Sequence, residues 1–210
     1  MLRGRLIVGT SIAVLYALSI IVARLVYGPG DTLSPEQLSA VVLKLDDVPG
    51  AQPGHGCSED SIQAQSALVP ENVAWTVFIF DEAERKNARV ACVLSMAALA
   101  ESRANAARVI REHAQSFAGQ IRLTEDVTGT VLDVKRLDTQ GIGERSFSYS
   151  WRCPECEDPL GVAYIIQFQR ANVMSVIVVS AIQDGVSADQ AMVYARKQDQ
   201  RIIAALNAND

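Results

Sequence analysis

The sequence predicts an α+β chain: an N-terminal transmembrane helix, then one domain in which a twisted antiparallel sheet is covered by helices. Three observations predict it. Residues 6–27 (LIVGTSIAVLYALSIIVARLVY) are apolar, with Arg24 the one charge among them. Beyond them, segments with an apolar period of two follow one another across short turns, which forces antiparallel pairing. Segments of period 3.6 stand apart from these strands, and that segregation is the α+β pattern.

The apolar run has the length of an anchor. A helix rises about 1.5 Å per residue, so about 20 apolar residues cross a hydrocarbon core of about 30 Å. Arg24 lies within a turn of the far end, where its stem carries the guanidinium out to the headgroups, and Tyr27 suits the same interface. Arg3 and Arg5 precede the run, while Asp31 and Glu36 follow it. Positive residues stay inside. Residues 1–5 are therefore read as a cytoplasmic stub, 6–27 as a single-pass anchor in the bilayer, 28–33 as a linker and 34–210 as an extracytoplasmic domain. A cleaved signal peptide is the competing reading. It favours an apolar run of about 7–15 residues and a small-x-small site, whereas Leu25 and Tyr27 stand before Gly28. So short a stub cannot fold, and a signal passing inward would need a membrane or surface protein partner.

Charge narrows the outer part. All 24 acidic residues but only sixteen of the 19 basic ones lie beyond residue 30, a net charge of −8 there. Nucleic-acid binding needs basic surface to displace counterions from phosphate, so no nucleic-acid partner is expected. About 180 residues remain, enough for one domain with its own core.

Within that domain, Ser34-Pro35-Glu36-Gln37 reads as a capping box with proline at the first helical position. Leu38, Val41, Val42 and Leu45 continue the helical spacing. Residues 46–63 are rich in Gly and Pro and read as a loop. Residues 74–80 and 88–95 are β-rich and read as a hairpin. Residues 97–118 read as an amphipathic helix with Ala106, Ile110 and Phe117 inward, Arg103, Arg108 and Arg111 outward, and Gly119 as its cap. Strands are expected at 121–125, 130–136, 145–151, 161–170 and 173–182, the last two as a hairpin about Ala171-Asn172. Ser187 and Gln190 form a second capping box, opening a helix that runs to about Leu206.

Residues 142–149 (Ile-Gly-Glu-Arg-Ser-Phe-Ser-Tyr), 168–176 (Phe-Gln-Arg-Ala-Asn-Val-Met-Ser-Val) and 195–202 (Ala-Arg-Lys-Gln-Asp-Gln-Arg-Ile) occur in an order that resembles the end of extracellular sensor-type domains of actinobacterial serine/threonine kinases and related exported single-domain proteins. Residues 43–50 (Leu-Lys-Leu-Asp-Asp-Val-Pro-Gly) are similar to their opening. The chain departs from the pattern at Ala171, where a glycine is usual, and it carries no kinase. The resemblance implies an α+β, cleft-bearing domain of binding type and carries over no catalytic residue.

The sharpest local chemistry is Cys153-Pro154-Glu155-Cys156. Thiol exchange favours a first cysteine at a helix N-terminus, where the dipole lowers its pKa. Pro159 and Gly161 follow at once and a strand begins, so that helix is missing. The pair could be half of a zinc site with Cys57 and His55 or Cys92, but no second C-x-x-C or H-x3-H accompanies it. The favoured reading is two structural disulfides outside the cell, among three possible pairings: Cys153–Cys156 pinning a hairpin loop, and Cys57–Cys92 tying the long loop to a strand. Closing the latter loop of about 35 residues contributes about 3–4 kcal/mol in the chain-entropy account. Glu155, Glu157 and Asp158 match no calcium-loop spacing. No Gly-x-Ser-x-Gly elbow or phosphate-cradling loop occurs. His55 and His113 read as surface residues. Trp75 and Trp151 read as core or rim residues of the sheet, with ligand stacking as the alternative; together with Arg170 they are the ligand-binding candidates. No catalytic residue, metal or cofactor is expected. The functional reading is a membrane-anchored extracytoplasmic protein that binds a ligand or partner as sensor or accessory subunit. The alternative is a membrane-tethered thiol-disulfide oxidoreductase or small zinc protein using Cys153 and Cys156.

Overall fold

The computed structural model describes residues 33–54, 72–81, 83, 85, 90–128, 133–152, 162–181 and 186–208. The expected anchor, 6–27, lies outside them, and among the described residues no helix is long and apolar enough to cross a membrane. What is described is α+β: a seven-stranded, wholly antiparallel sheet with helices on both faces.

In chain order the elements are helix α1 (Pro35–Val41), a 3-10 turn (Leu45–Asp47), strands β1 (Gln52–Gly54), β2 (Val73–Ile79) and β3 (Val90–Leu99), helix α2 (Arg103–Thr128), strands β4 (Asp133–Leu137), β5 (Arg145–Arg152), β6 (Val162–Arg170) and β7 (Val173–Ala181), and helix α3 (Ala188–Asn207). The spatial order is β1-β2-β3-β7-β6-β5-β4. Two meanders therefore approach from opposite edges and join where β3 pairs with β7, from Val90↔Ala181 to Leu99↔Val173. A register shift between Val90 and Cys92 places one extra residue, Ala91, in β3. Pro53 sits on the edge strand β1, where its missing N–H costs no central ladder bond.

Alternation sorts the side chains into two layers. Phe78, Val93, Ala97, Ile166, Phe168, Ile177 and Val179 point to the face covered by α1 and α3, meeting Leu38, Val41, Met192, Ala195 and Ile202. Met96, Ala98, Ile165, Met174, Val176 and Val178 point to the face covered by α2, meeting Ala106, Val109 and Phe117. Both capping boxes form: Gln37 Oε1 accepts from the Ser34 N–H at 2.9 Å, and Gln190 Oε1 accepts from the Ser187 N–H at 2.8 Å. A buried polar relay crosses the first layer. Ser95 Oγ accepts from the Leu43 N–H at 2.9 Å and donates to Gln198 Oε1 at 2.6 Å, while Gln198 Nε2 donates to the Met96 carbonyl at 2.9 Å.

Several expected boundaries move. Residues 97–99 belong to β3 rather than to a helix: they pair with Ser175, Met174 and Val173 of β7 and are buried in a central strand packed on both faces. Helix α2 then starts at Arg103 and runs through Gly119 and the segment 121–125, which was expected to be a strand. An interior glycine costs a helix only about 1 kcal/mol, and propagation carries the chain past it when no proline intervenes. Helix α1 stops at Val41, leaving Leu45 in the 3-10 turn and 45 % exposed. The loop expected over 46–63 contains β1.

Candidate functional site

Helix α2 lies along β5, β6 and β7 and divides its face of the sheet. Beneath it the aromatic rings are ordered. Phe117 stacks on Tyr149, with centroids 4.2 Å apart and planes inclined by 18°, and Phe147 meets the edge of Tyr149 at 5.9 Å. Such contacts add about 0.5–1.5 kcal/mol to simple burial. On one flank of α2 stand Tyr149, Trp151 and Val134; on the other stand Val73, Trp75 and Leu94, all half-buried.

Both tryptophans thus share this face, but they do not meet. Trp75 on β2 is registered with Met96, and Trp151 on β5 with Ala163. Strands β3, β7 and β6 intervene, and the row of Trp75 reaches β5 at Phe147, four residues from Trp151, so four strand spacings and four residues place them about 23 Å apart. Arg170 is placed elsewhere. At the end of β6 it forms a two-pronged pair with Asp199 of α3, its Nη2 donating at 2.8 Å to Oδ2 and its Nε donating to Oδ1. The hydrogen bonds that Arg170 donates to Asp199 raise its already high pKa, and the guanidinium serves the packing of α3 on the sheet.

Around Arg170 the segments that carry the sensor-domain likeness come together. Asp199 Oδ2 also accepts the Gly143 N–H at 3.1 Å. Glu144 accepts Arg103 Nε at 2.8 Å, Gln169 Nε2 at 2.9 Å and the Ala171 N–H at 3.2 Å. Burial works against the Glu144 charge, but the hydrogen bonds from Gln169, Ala171 and Arg103 outweigh it and hold its carboxyl below the usual range. One network thus locks the start of β5, the β6–β7 turn, the first turn of α2 and the middle of α3. The resembling motifs are structural joints.

His113, expected at the surface, instead points from α2 to the sheet and lies 3.2 Å by its Nδ1 from Gln167 Oε1. Burial pushes its pKa down, against smaller upward contributions from Gln167 and Glu112. The residue is three positions after Ile110 and four after Val109, the buried side of the helix, so the helical period itself placed it there. Gln167 is fully buried, and its Nε2 has no hydrogen-bond partner among the described residues. It is a lone polar residue in the run Tyr164-Ile165-Ile166-Gln167-Phe168, and that interruption was the legible signal. The α2 side of the sheet is thus mostly apolar and aromatic, with the buried Gln167 amide beneath the helix.

Cys92 is buried in β3. Cys57, Cys153, Cys156 and His55 lie outside the described residues, as does the acidic loop 155–158, so neither expected pairing joins two described residues. The segment containing Cys153 and Cys156 follows Arg152 directly and connects β5 to β6. Among the described residues no three His, Cys, Asp or Glu side chains cluster as metal ligands.

In fold, the chain is similar to the extracellular domain of PknH from Mycobacterium tuberculosis, with a TM-score of 0.55 and 12% sequence identity over 83% of this chain and 98% of that one. The likeness to an extracellular sensor-type domain expected from the motifs holds at the level of fold. No protein-family model matches the chain, and no curated protein matches it in sequence.

Proposed function

We propose that this chain is a single-pass membrane protein whose extracytoplasmic α+β domain binds a ligand or protein partner, as a sensor or accessory subunit without catalysis of its own. The observation that carries the reading is the α2 face: half-buried Trp75 on one flank, half-buried Trp151 with Tyr149 on the other, and beneath the helix the Gln167 Nε2, which has no hydrogen-bond partner among the described residues. Burying that nitrogen unpaired costs about 1–3 kcal/mol, a penalty that a ligand supplying an acceptor would remove. The fold likeness to an extracellular domain supports the same reading. Residues 6–27 would hold the domain at the outer surface of the cell membrane, N-terminus inside. The disulfides Cys57–Cys92 and Cys153–Cys156 would belong to that compartment.

The chain has two tryptophans and both lie on this face, so its intrinsic emission reports on the site directly. The full-length protein in lipid nanodiscs is titrated with fractionated cell-envelope extracts. A saturable spectral change, diminished in Trp75→Phe or Trp151→Phe beyond the loss of that fluorophore and shifted in Gln167→Leu, supports the assignment. No saturable change from any fraction, or one indifferent to Gln167→Leu, rejects this face as the site.

A further inference from the structure

Two polar contacts tie α2 to the sheet at different points along its length. At its first turn Arg103 Nε donates to Glu144 at 2.8 Å, and nearly three turns on His113 Nδ1 lies 3.2 Å from Gln167 Oε1. An amide oxygen only accepts, so His113 carries its hydrogen on Nδ1 and takes up a further proton on Nε2. The register shows what an imidazolium would meet there. The row of Gln167 runs Trp75, Met96, Val176, Gln167, Phe147. In that row and the rows on either side of it, β2, β3 and β7 present only apolar side chains to this face. Strand β6 adds the amide of Gln169, and β5 and β4 add Tyr149 and the exposed guanidinia of Arg145 and Arg136. Glu144, at the start of β5, is already bonded to Arg103, Gln169 and the Ala171 N–H. On α2 itself Glu112 lies 4.0 Å from Arg108, and Arg111 is exposed. Among the described residues the sheet thus offers a cation at this place two like charges and no uncommitted carboxylate. Burying a charge without a partner is costly, and burial already holds the His113 pKa below 6.5.

We propose that His113 is an acid-released latch: a second proton drives its imidazole out from under α2, and the helix swings about its first turn to open the face that carries Gln167. The inference rests on the binding reading above and gives that site its regulation. The fold supplies a pivot. The Glu144 carboxyl lies below the ordinary 4.5, so near pH 5 it stays charged and keeps Arg103 and the first turn of α2 in place. At neutral pH the closed form is favoured by the Phe117–Tyr149 stack, with centroids 4.2 Å apart, and by the apolar layer that holds Ala106, Val109, Ile165 and Val176. Opening uncovers the Gln167 amide and the rings of Phe147 and Tyr149, so acid gives a ligand or partner its access. If the open form holds an imidazole of ordinary pKa 6.5 and the closed form none that titrates, the opening constant rises by at most about 25-fold between pH 7 and pH 5.

Amide hydrogen exchange on the full-length chain in lipid nanodiscs measures the opening of α2 without any ligand. Rates at pH 7 and pH 5 are corrected for intrinsic exchange, and α3, which carries no histidine, is the internal control. Opening of residues 105–117 is expected to rise several-fold at pH 5, up to that ceiling, while α3 changes by less than about twofold. In His113→Gln and in His113→Leu the rise is expected to disappear. An α2 that opens no more at pH 5 than at pH 7, its imidazole merely turning out to water, overturns the latch. A rise that α3 shares, or that persists in both variants, overturns it as well. No ligand enters this measurement, so failure of the latch leaves the binding reading to its own tryptophan titration.

Discussion

At the scale of single residues, the turn between β6 and β7 shows how local strain and non-local bonding meet. Ala171 has φ 51°, the only positive φ among the described non-glycine residues, and it stands where the resembling domains usually carry glycine. A left-handed conformation costs a side chain about 1–2 kcal/mol, whereas glycine forfeits about 0.5–1 kcal/mol of chain entropy. Ala171→Gly keeps the N–H bond to Glu144 and is expected to raise stability by about 0.5–1 kcal/mol on these values. Denaturant unfolding checks it, and an unchanged or lowered midpoint would show that the turn is not strained. Gly143, at φ 63°, is less replaceable, since a Cβ there would lie 2.7 Å from the Gln169 carbonyl. Glu144 gives the network a pH signature. Its carboxyl pKa is lower in the folded chain than the ordinary 4.5, so its stabilisation is complete above that value and is lost as pH falls through the folded value. Glu144→Gln should therefore be less stable at neutral pH and show a shallower loss of stability below about pH 4.5; parallel acid limbs for the two proteins would refute the linkage. The motifs around these residues were legible as strand and turn signals. Their bonding was not, because Arg170 meets Asp199 across 29 positions and Asp47 meets Arg201 across 154, and no local period encodes such pairs.

At the scale of elements, the sequence was most readable where a cap or a turn is chemically specific. Ser34 and Ser187 mark the starts of α1 and α3, and Ala171-Asn172 marks the β6–β7 hairpin. It was least readable at the junction of β3 and α2, where Ala97, Ala98 and Ala100 fit either period and the decision falls to tertiary packing. The docking of α2 has its own titration. His113 is held neutral beneath the helix with its pKa pushed below 6.5, so the unfolded chain takes up a proton there before the folded one does. The contribution is present above pH 6.5 and lost as pH falls below it. His113→Gln is expected to flatten the stability profile just below pH 6.5, His55 being common to both proteins. Equal slopes in that window would mean that His113 titrates as an exposed imidazole and that the α2 face opens readily to water.

At the scale of the whole molecule, the question is what closes the chain covalently, and the sheet geometry bears on it. Gly54 at the end of β1 is registered with Val77 of β2, which is registered with Leu94 of β3; Cys92 lies two residues along β3 from that row. Two strand spacings and two residues place Gly54 about 12 Å from Cys92. Three further residues, to Cys57, can extend about 10 Å, and a disulfide spans about 5.5 Å between Cα atoms, so the Cys57–Cys92 bridge is within reach without moving the sheet. It would bind the first meander across its own open edge and contribute about 3–4 kcal/mol by constraining the unfolded chain. Intact mass after alkylation of protein taken from its native membrane, with and without reductant, decides the matter. Four alkyl groups added only after strong reduction are the expected result, with a fall in melting temperature on reduction and a smaller fall in Cys92→Ala. Four groups added without reductant would leave the cysteines as thiols, remove the support that disulfides lend to an outside location, and return the Cys153–Cys156 pair to consideration as reactive chemistry.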